Sequence, residues 1–300
     1  MVIAADRHCV GCSGAQHADD LCHVANDVDG LPARCVGAWS QDKLFYMRRY
    51  GDIFARGMQK KWANRVFLDL FAGPGRCRVK PTGEFVDGSP MLALGLPFTH
   101  FRFCDLSADA TAALRARVAA SGTANCSSIV LHGDANDAAH EMRKHVLSLG
   151  PHTLAFAFID PPGIEMRFQS IRAMTDGLPI DLLINFPLGM NIKRQYKHRL
   201  ASTKADDAFD AYFDGPEWRE ACDAGTGGST IGTRLLELYE AKLRGIGYTY
   251  VGDERVIRNR VTNSPYYMLI FASKHPRGEE FWSKVTREEP SGQRALPFLF

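Results

Sequence analysis

The chain has 300 residues, 45% of them hydrophobic and 23% charged, with a formal net charge of +2. These proportions belong to an ordinary globular protein and exclude collagen-like or low-complexity chains. No apolar run approaches the roughly 20 residues a membrane-spanning helix needs, and Met1 to Gly14 lacks the basic start and apolar stretch of a secretion signal. A cytoplasmic protein with no membrane partner is therefore expected. The near-neutral charge neither requires nor excludes a nucleic-acid partner, so local patches must decide.

In chain order, residues 1–38 come first, rich in Cys, Asp, Gly and Ala and poor in hydrophobic periodicity. They are read as an N-terminal extension to a main domain covering 39–300. Four cysteines crowd this extension, Cys9, Cys12, Cys22 and Cys35, in the spacing C-x2-C-x9-C-x12-C. Four thiolates can hold a structural zinc tetrahedrally, and His17 or His23 could replace one. An iron–sulfur cluster and a metal-free extension are the alternatives. The other cysteines, Cys77, Cys104, Cys126 and Cys222, are scattered, as small buried hydrophobes are in a reducing compartment.

Residues 39–58 predict an amphipathic helix, with Leu44, Met47, Tyr50 and Phe54 recurring at spacings of 3 and 4. Ser40 is its expected N-cap. Lys43 stands where a capping box would place Glu, so the start signal is partial. Residues 65–70 form an apolar run suited to a buried parallel strand. Gly73-Pro74-Gly75 ends it, and residues 76–88 read as an inserted loop. Ser89-Pro90 opens a short helix over 91–96. Strands are expected at 101–105, 128–131, 154–159 and 181–185, and helices at 108–120 and 137–149. A polar stretch, 188–228, precedes a helix at 230–243. Two strands, 248–256 and 266–273, are close enough to pair as an antiparallel hairpin. Strands alternating with helices imply a parallel sheet with right-handed crossovers.

The chemistry gathers at strand ends. Asp69-Leu70-Phe71-Ala72-Gly73-Pro74-Gly75 leaves the first of these strands as D-x3-G-x-G, and its glycines permit a tight turn and close backbone approach to a ligand. Asp105 ends the second, where a carboxylate can accept from both ribose hydroxyls of a nucleoside cofactor; Leu106 follows it. His132-Gly133-Asp134-Ala135-Asn136 follows the third. Asp134 is placed to accept from an adenine amine, or to cap the next helix. Asp160-Pro161-Pro162-Gly163 follows the fourth. Two prolines fix the backbone and remove its donors, leaving carbonyl acceptors. Such a carbonyl and the Asp160 carboxylate could together hold an amino group and aim its lone pair, which is catalysis by positioning. Asn185-Phe186-Pro187 ends the fifth strand and is expected at the same cleft. The run Lys193-Arg194-Gln195-Tyr196-Lys197-His198-Arg199 follows; it reads either as a track for a phosphate backbone or as a solvated helix face.

The order Asp69–Gly75, Asp105, Asp134, Asp160–Gly163 resembles class I S-adenosylmethionine-dependent methyltransferases. More narrowly, several strings resemble the three-Cys-motif partner protein family (TcmP). These are Trp39 with Lys43-Leu44, Leu68 to Gly75, Asp87-Gly88-Ser89-Pro90, Phe158 to Gly163, Ile184-Asn185-Phe186-Pro187 and Phe271-Ala272-Ser273-Lys274. The resemblance implies a Rossmann-like fold with a mainly parallel seven-stranded sheet and an antiparallel C-terminal hairpin. It implies S-adenosylmethionine held by Asp69, Phe71, Ala72, Gly73, Gly75, Asp105, Leu106, Asp134, Ala135 and Asp160. Catalysis would fall to Asp160, Pro161 and Pro162, and substrate contacts to Asn185, Phe186, Lys193 and Arg194. A protein partner of the three-Cys-motif type is a further expectation. The Asp160 motif also resembles the D-P-P-Y motif of adenine amino-methyltransferases, but Gly163 stands where those enzymes carry a stacking aromatic; Phe168 or Phe186 could supply one, although each also fits a core position. The alternative is a non-catalytic nucleic-acid-binding or accessory protein that keeps the fold.

Overall fold

A computed structural model of the protein describes residues 17–18, 21–22, 28–80, 82–123, 126–192, 200, 208–223, 230–259 and 263–290. Its strands are β1 (His17–Ala18), β2 (Leu21–Cys22), β3 (Ala33–Val36), β4 (Asn64–Asp69), β5 (Arg76–Val79), β6 (Phe85–Asp87), β7 (His100–Asp105), β8 (Ser127–His132), β9 (Thr153–Ile159), β10 (Ile180–Phe186), β11 (Tyr250–Arg258) and β12 (Pro265–Ser273). The helices are α1 (Ser40–Met58), α2 (Ser89–Leu94), α3 (Ala108–Ala120), α4 (Ala135–Ser148), α5 (Phe168–Thr175), α6 (Ala208–Phe213), α7 (Trp218–Asp223), α8 (Ile231–Gly245) and α9 (Pro276–Val285).

Seven strands form one sheet in the order β11-β12-β10-β9-β4-β7-β8. The inner strands pair in parallel, while β12 runs antiparallel to both β10 and β11. This is the expected mixed α/β architecture with its C-terminal hairpin. Helices cover both faces, which is why the central strands are apolar on both sides rather than alternating with polar residues. Side chains at successive positions still point to opposite faces. Val66, Leu68, Ala155, Ala157 and Ile184 pack with α4, α5 and α8. Phe67, Phe101, Phe103, Phe156 and Phe158 join Met47, Tyr50 and Phe54 of α1 and Trp282 of α9. The second face is rich in aromatic rings, with Tyr50 and Phe156 ring centroids 4.9 Å apart and Phe271 stacked on Trp282 at 5.1 Å. Tyr50 also donates from its hydroxyl to the buried Asp181 at 2.6 Å, anchoring α1 to β10.

The segment after Gly75 departs from the expected loop. It folds back as the β5–β6 hairpin, and β3 adds to β5 in parallel with Arg34 opposite Cys77. A second, five-stranded sheet results, in the order β1-β2-β3-β5-β6. Residues 33–36 of the N-terminal stretch are thus woven into the insertion. Arg117 of α3, 4% exposed, staples them down. Its guanidinium donates to Asp29 at 2.7 and 2.9 Å, to the Pro32 carbonyl at 2.9 Å and to the Pro74 carbonyl at 2.6 Å. That guanidinium holds the Asp29 carboxyl below the usual range.

Smaller differences follow from local chemistry. Trp39, not Ser40, is the N-cap of α1, and no side chain caps that end. Helices α5 and α9 lack the long periodicity that would have revealed them; α9 starts with Pro276 in its first turn and His275 as its cap. Within the described part of the polar 188–228 stretch, α6 and α7 bury Phe209, Tyr212, Phe213 and Trp218 against α8. No helix among the described residues is long and apolar enough to cross a membrane.

Candidate active site

The chain order of β4, β7 and β8 runs one way across the sheet, and β9 returns to the other side of β4. Ligands of open α/β sheets bind at such a switch point, outside the carboxyl ends of the strands. Asp69 ends β4 directly opposite Phe158 of β9, two residues before Asp160. The strand-end carboxylates singled out in the sequence therefore converge on one edge.

A cavity of about 240 Å³ opens there. Of the residues expected to bind cofactor, Phe71, Ala72, Gly73, Gly75 and Asp160 line it, as do Pro161 and Pro162, expected with Asp160 to be catalytic. Gly73 and Gly75 have φ of +62° and +90°, in the left-handed region where a side chain is strained. A Cβ on Gly75 would also approach Leu114 Cδ1 to 3.0 Å. The turn is tied to its neighbours by the Gly73 amide, which donates to Asp105 Oδ2 at 2.8 Å, and by the Ala72 amide, which donates to the Cys104 carbonyl at 2.8 Å.

Three strand-end carboxylates stand at or beside this cavity in different environments, and of them Asp160 lines it. Asp69 is fully buried, and burial pushes its carboxyl up to about 7, with the nearby Asp160 and Asp105 charges adding to the shift. Its Oδ1 accepts from the Phe71 amide at 3.1 Å. Asp105 accepts from the Ser107 amide as well as Gly73, and Arg34 of β3 reaches it at 3.3 Å. Asp160 is gripped hardest. Lys43 of α1 donates to both its oxygens, at 2.6 and 2.8 Å, and Asn185 Nδ2 donates to Oδ1 at 2.6 Å. The Lys43 ammonium also lies 4.8 Å from the Tyr267 ring centroid.

Other expected residues have more ordinary places. Asp134 is the N-cap of α4 and accepts from the Asn136 amide at 2.7 Å. Asn136 in turn bonds the backbone of Glu165 and Arg167, tying this loop to the one after Asp160. Leu106, beside Asp105, is 70% exposed. Ala135 is buried in the first turn of α4.

Phe186 corrects the sequence reading. It is 0% exposed and packs against Tyr212, Phe213 and Tyr239, so it is core and does not face a substrate. Phe168 is buried as well. Asn185 is also fully buried, and reaches the cavity only through Asp160. Lys193, Arg194, Cys9 and Cys12 lie outside the described residues. Cys22 is buried with the Arg78 guanidinium 3.5 Å from its sulfur, and among the described residues no three His, Cys, Asp or Glu side chains gather as a metal site.

Lys43, Arg34, Trp39 and Tyr267 are the site residues that the sequence reading missed. For Lys43 a signal existed. It falls on the 43–47–50–54 stripe of α1, whose other members are Met47, Tyr50 and Phe54, all buried. A lysine on an apolar stripe needs a partner.

No protein-family model matches the chain, and no curated protein matches it in sequence. Among solved structures it is similar to protein LPL1258 from Legionella pneumophila, at 12% identity and a TM-score of 0.52, over 86% of this chain and 96% of that one. It is also similar to Trm1 from Pyrococcus horikoshii, solved with S-adenosyl-L-methionine, at 13% identity and a TM-score of 0.40, over 80% of this chain and 58% of that one. At such identities the likeness is one of fold. The fold itself is a Rossmann-like α/β fold, with a mainly parallel seven-stranded sheet and an antiparallel terminal hairpin.

Proposed function

We propose that this protein is an S-adenosylmethionine-dependent methyltransferase acting on an amino nitrogen of a nucleic acid. The observation that carries the reading is the convergence of the Gly73–Gly75 turn and the Asp160-Pro161-Pro162 turn on one cavity at the switch point. The residues present fit the cofactor. The left-handed Gly73 and Gly75 form a tight turn whose backbone lines the cavity, and Asp105 offers acceptors where a ribose would lie. Buried polar atoms without hydrogen-bond partners, Arg34 Nε and Asn185 Oδ1, belong to the same cluster, as a site completed by a ligand would leave them.

When bound, S-adenosylmethionine supplies a methyl group activated by its sulfonium. The chain's own work is orientation. A carboxylate has about four lone-pair sites. Lys43 and Asn185 take three at Asp160, leaving one on Oδ2 for an N–H of the acceptor. The Pro161 carbonyl offers a second acceptor, with no N–H on Pro162 to compete. An amine held by both aims its lone pair at the methyl. Trp39, which lines the cavity from another element, supplies aromatic surface that residue 163 lacks and suits a planar ring bearing that amine. Arg34, Arg76 and Lys80 line the same cavity and suit a phosphate-bearing acceptor.

The finer expectations belong to this proposal. Membership of the three-Cys-motif partner family rests on the strings given above, and with it a partner protein. A structural zinc on Cys9, Cys12, Cys22 and Cys35 rests on their spacing in the sequence; elemental analysis of freshly purified protein tests it. For the main reading, calorimetry with S-adenosylmethionine is decisive: no binding at millimolar concentration sinks it. Labelled-methyl transfer to total RNA, DNA and protein fractions then identifies the acceptor, with RNA or DNA expected.

A further inference from the structure

Lys43 is 7% exposed, and its ammonium is committed to both oxygens of Asp160 and to the face of Tyr267. Burying such a pair is expensive, and replacing it by apolar side chains of similar volume is often neutral or stabilising. The α1 stripe on which Lys43 lies would accept Met or Leu at no desolvation cost. Packing alone therefore gives no reason for a lysine there.

Resting on the methyltransferase reading, we propose that Lys43 is a positioning residue for methyl transfer, fixing the Asp160 carboxylate and cancelling its charge beside the transferring methyl. Two short bonds from one ammonium lock the rotation of the carboxylate, so the remaining Oδ2 lone pair keeps one direction. Asp160 then accepts a hydrogen bond from the acceptor amine through that lone pair. In the step itself the amine nitrogen forms the bond to methyl carbon, the carbon–sulfur bond breaks, and its electron pair stays on sulfur. The proton shed by the methylated ammonium leaves to water. Because Lys43 already balances Asp160, the carboxylate does not hold the cofactor's sulfonium as a counter-ion and so does not stabilise the reactant.

The test uses two cofactor analogues and needs no knowledge of the acceptor. Sinefungin carries a protonated amine where S-adenosylmethionine carries its methyl sulfonium; S-adenosylhomocysteine is neutral there. Calorimetry on the purified full chain gives the ratio of their affinities. In Lys43→Met the Asp160 charge is unbalanced, and sinefungin is expected to gain at least tenfold over S-adenosylhomocysteine relative to the unsubstituted protein. Lys43→Arg is expected to keep the original ratio. Where the Met variant does not fold, Lys43→Gln removes the charge while keeping a donor, and the same gain is expected. An unchanged ratio in a charge-removing variant that still binds S-adenosylhomocysteine overturns the proposal. Failure of the unsubstituted protein to bind either analogue overturns the methyltransferase reading, and this inference with it.

Discussion

The two ends of the cavity solve one electrostatic problem with different firmness. At each, a strand-end carboxylate meets a cation supplied by the chain before β4. At the Asp160 end the cation is Lys43, on a long helix packed into the aromatic core, and the contacts are 2.6 and 2.8 Å. At the Asp105 end it is Arg34, on a four-residue strand of the small sheet, with a side chain 27% exposed and a contact of 3.3 Å. The first pair is built to stay. The second is looser and, on the proposed reading, yields its acceptors to ribose hydroxyls. Asp69 sits between them, fully buried and with no cation partner among its described contacts, and burial pushes its carboxyl up.

The largest effect should come from breaking the firm end. Asp160→Ala removes the acceptor and leaves the Lys43 ammonium unpaired, so methyl transfer is expected to fall roughly 100-fold or more while cofactor binding persists. Radiolabelled transfer to the acceptor fraction reads the first, calorimetry the second. Full turnover would remove Asp160 from the mechanism.

Next is the unpaired centre. Asp69 has a folded value of about 7 against an ordinary 3.8. A raised carboxyl contributes stability that is fully present below about pH 4 and is lost as pH rises through 7. Melting temperature without cofactor should therefore fall between pH 5 and 8, and Asp69→Asn should flatten part of that fall by several degrees. Asp181, pushed up to about 6 by burial, acts in the same direction and accounts for a remainder. An unaltered profile in Asp69→Asn would show that Asp69 does not titrate in this window.

The turn between the two ends comes third. Gly73→Ala places a side chain at φ +62° and 3.3 Å from Arg34 Nε, for a cost of about 1–2 kcal/mol. Cofactor affinity is expected to drop about tenfold. Gly122→Ala, at φ +69° with nothing within 4 Å, carries similar strain far from the site and should leave affinity unchanged.

The smallest effect belongs to the yielding end. A partly exposed ion pair is worth under about 1 kcal/mol. Arg34→Ala should thus tighten S-adenosylmethionine by no more than about fivefold, measured calorimetrically. Weaker binding would mean that Arg34 contacts the cofactor itself, and the two ends would be more alike than their geometry suggests.

The strand ends were legible because their information is local. A strand is apolar, a turn needs Gly or Pro, and a carboxylate closes it; Asp69, Gly73, Asp105 and Asp160 can each be read within a few neighbours. Strand alternation with helices fixed the sheet type, and the 248–256 and 266–273 runs fixed the hairpin. Phe186 was misread for the converse reason. A strand-end aromatic looks the same whether it faces a cleft or the core, and only the packing of α6 and α8 decided which.

What the sequence by itself determined is the series of acidic and glycine-rich turns at one edge of a sheet, set by short-range backbone chemistry. What only the tertiary structure decided is which cation answers which carboxylate. Lys43 and Asp160 are 117 residues apart, and Arg34 and Asp105 are 71 apart. No local rule couples such positions. The pairs exist because α1 is pressed onto the sheet by its aromatic face, and because β3 is drawn across the glycine turn by β5 and Arg117.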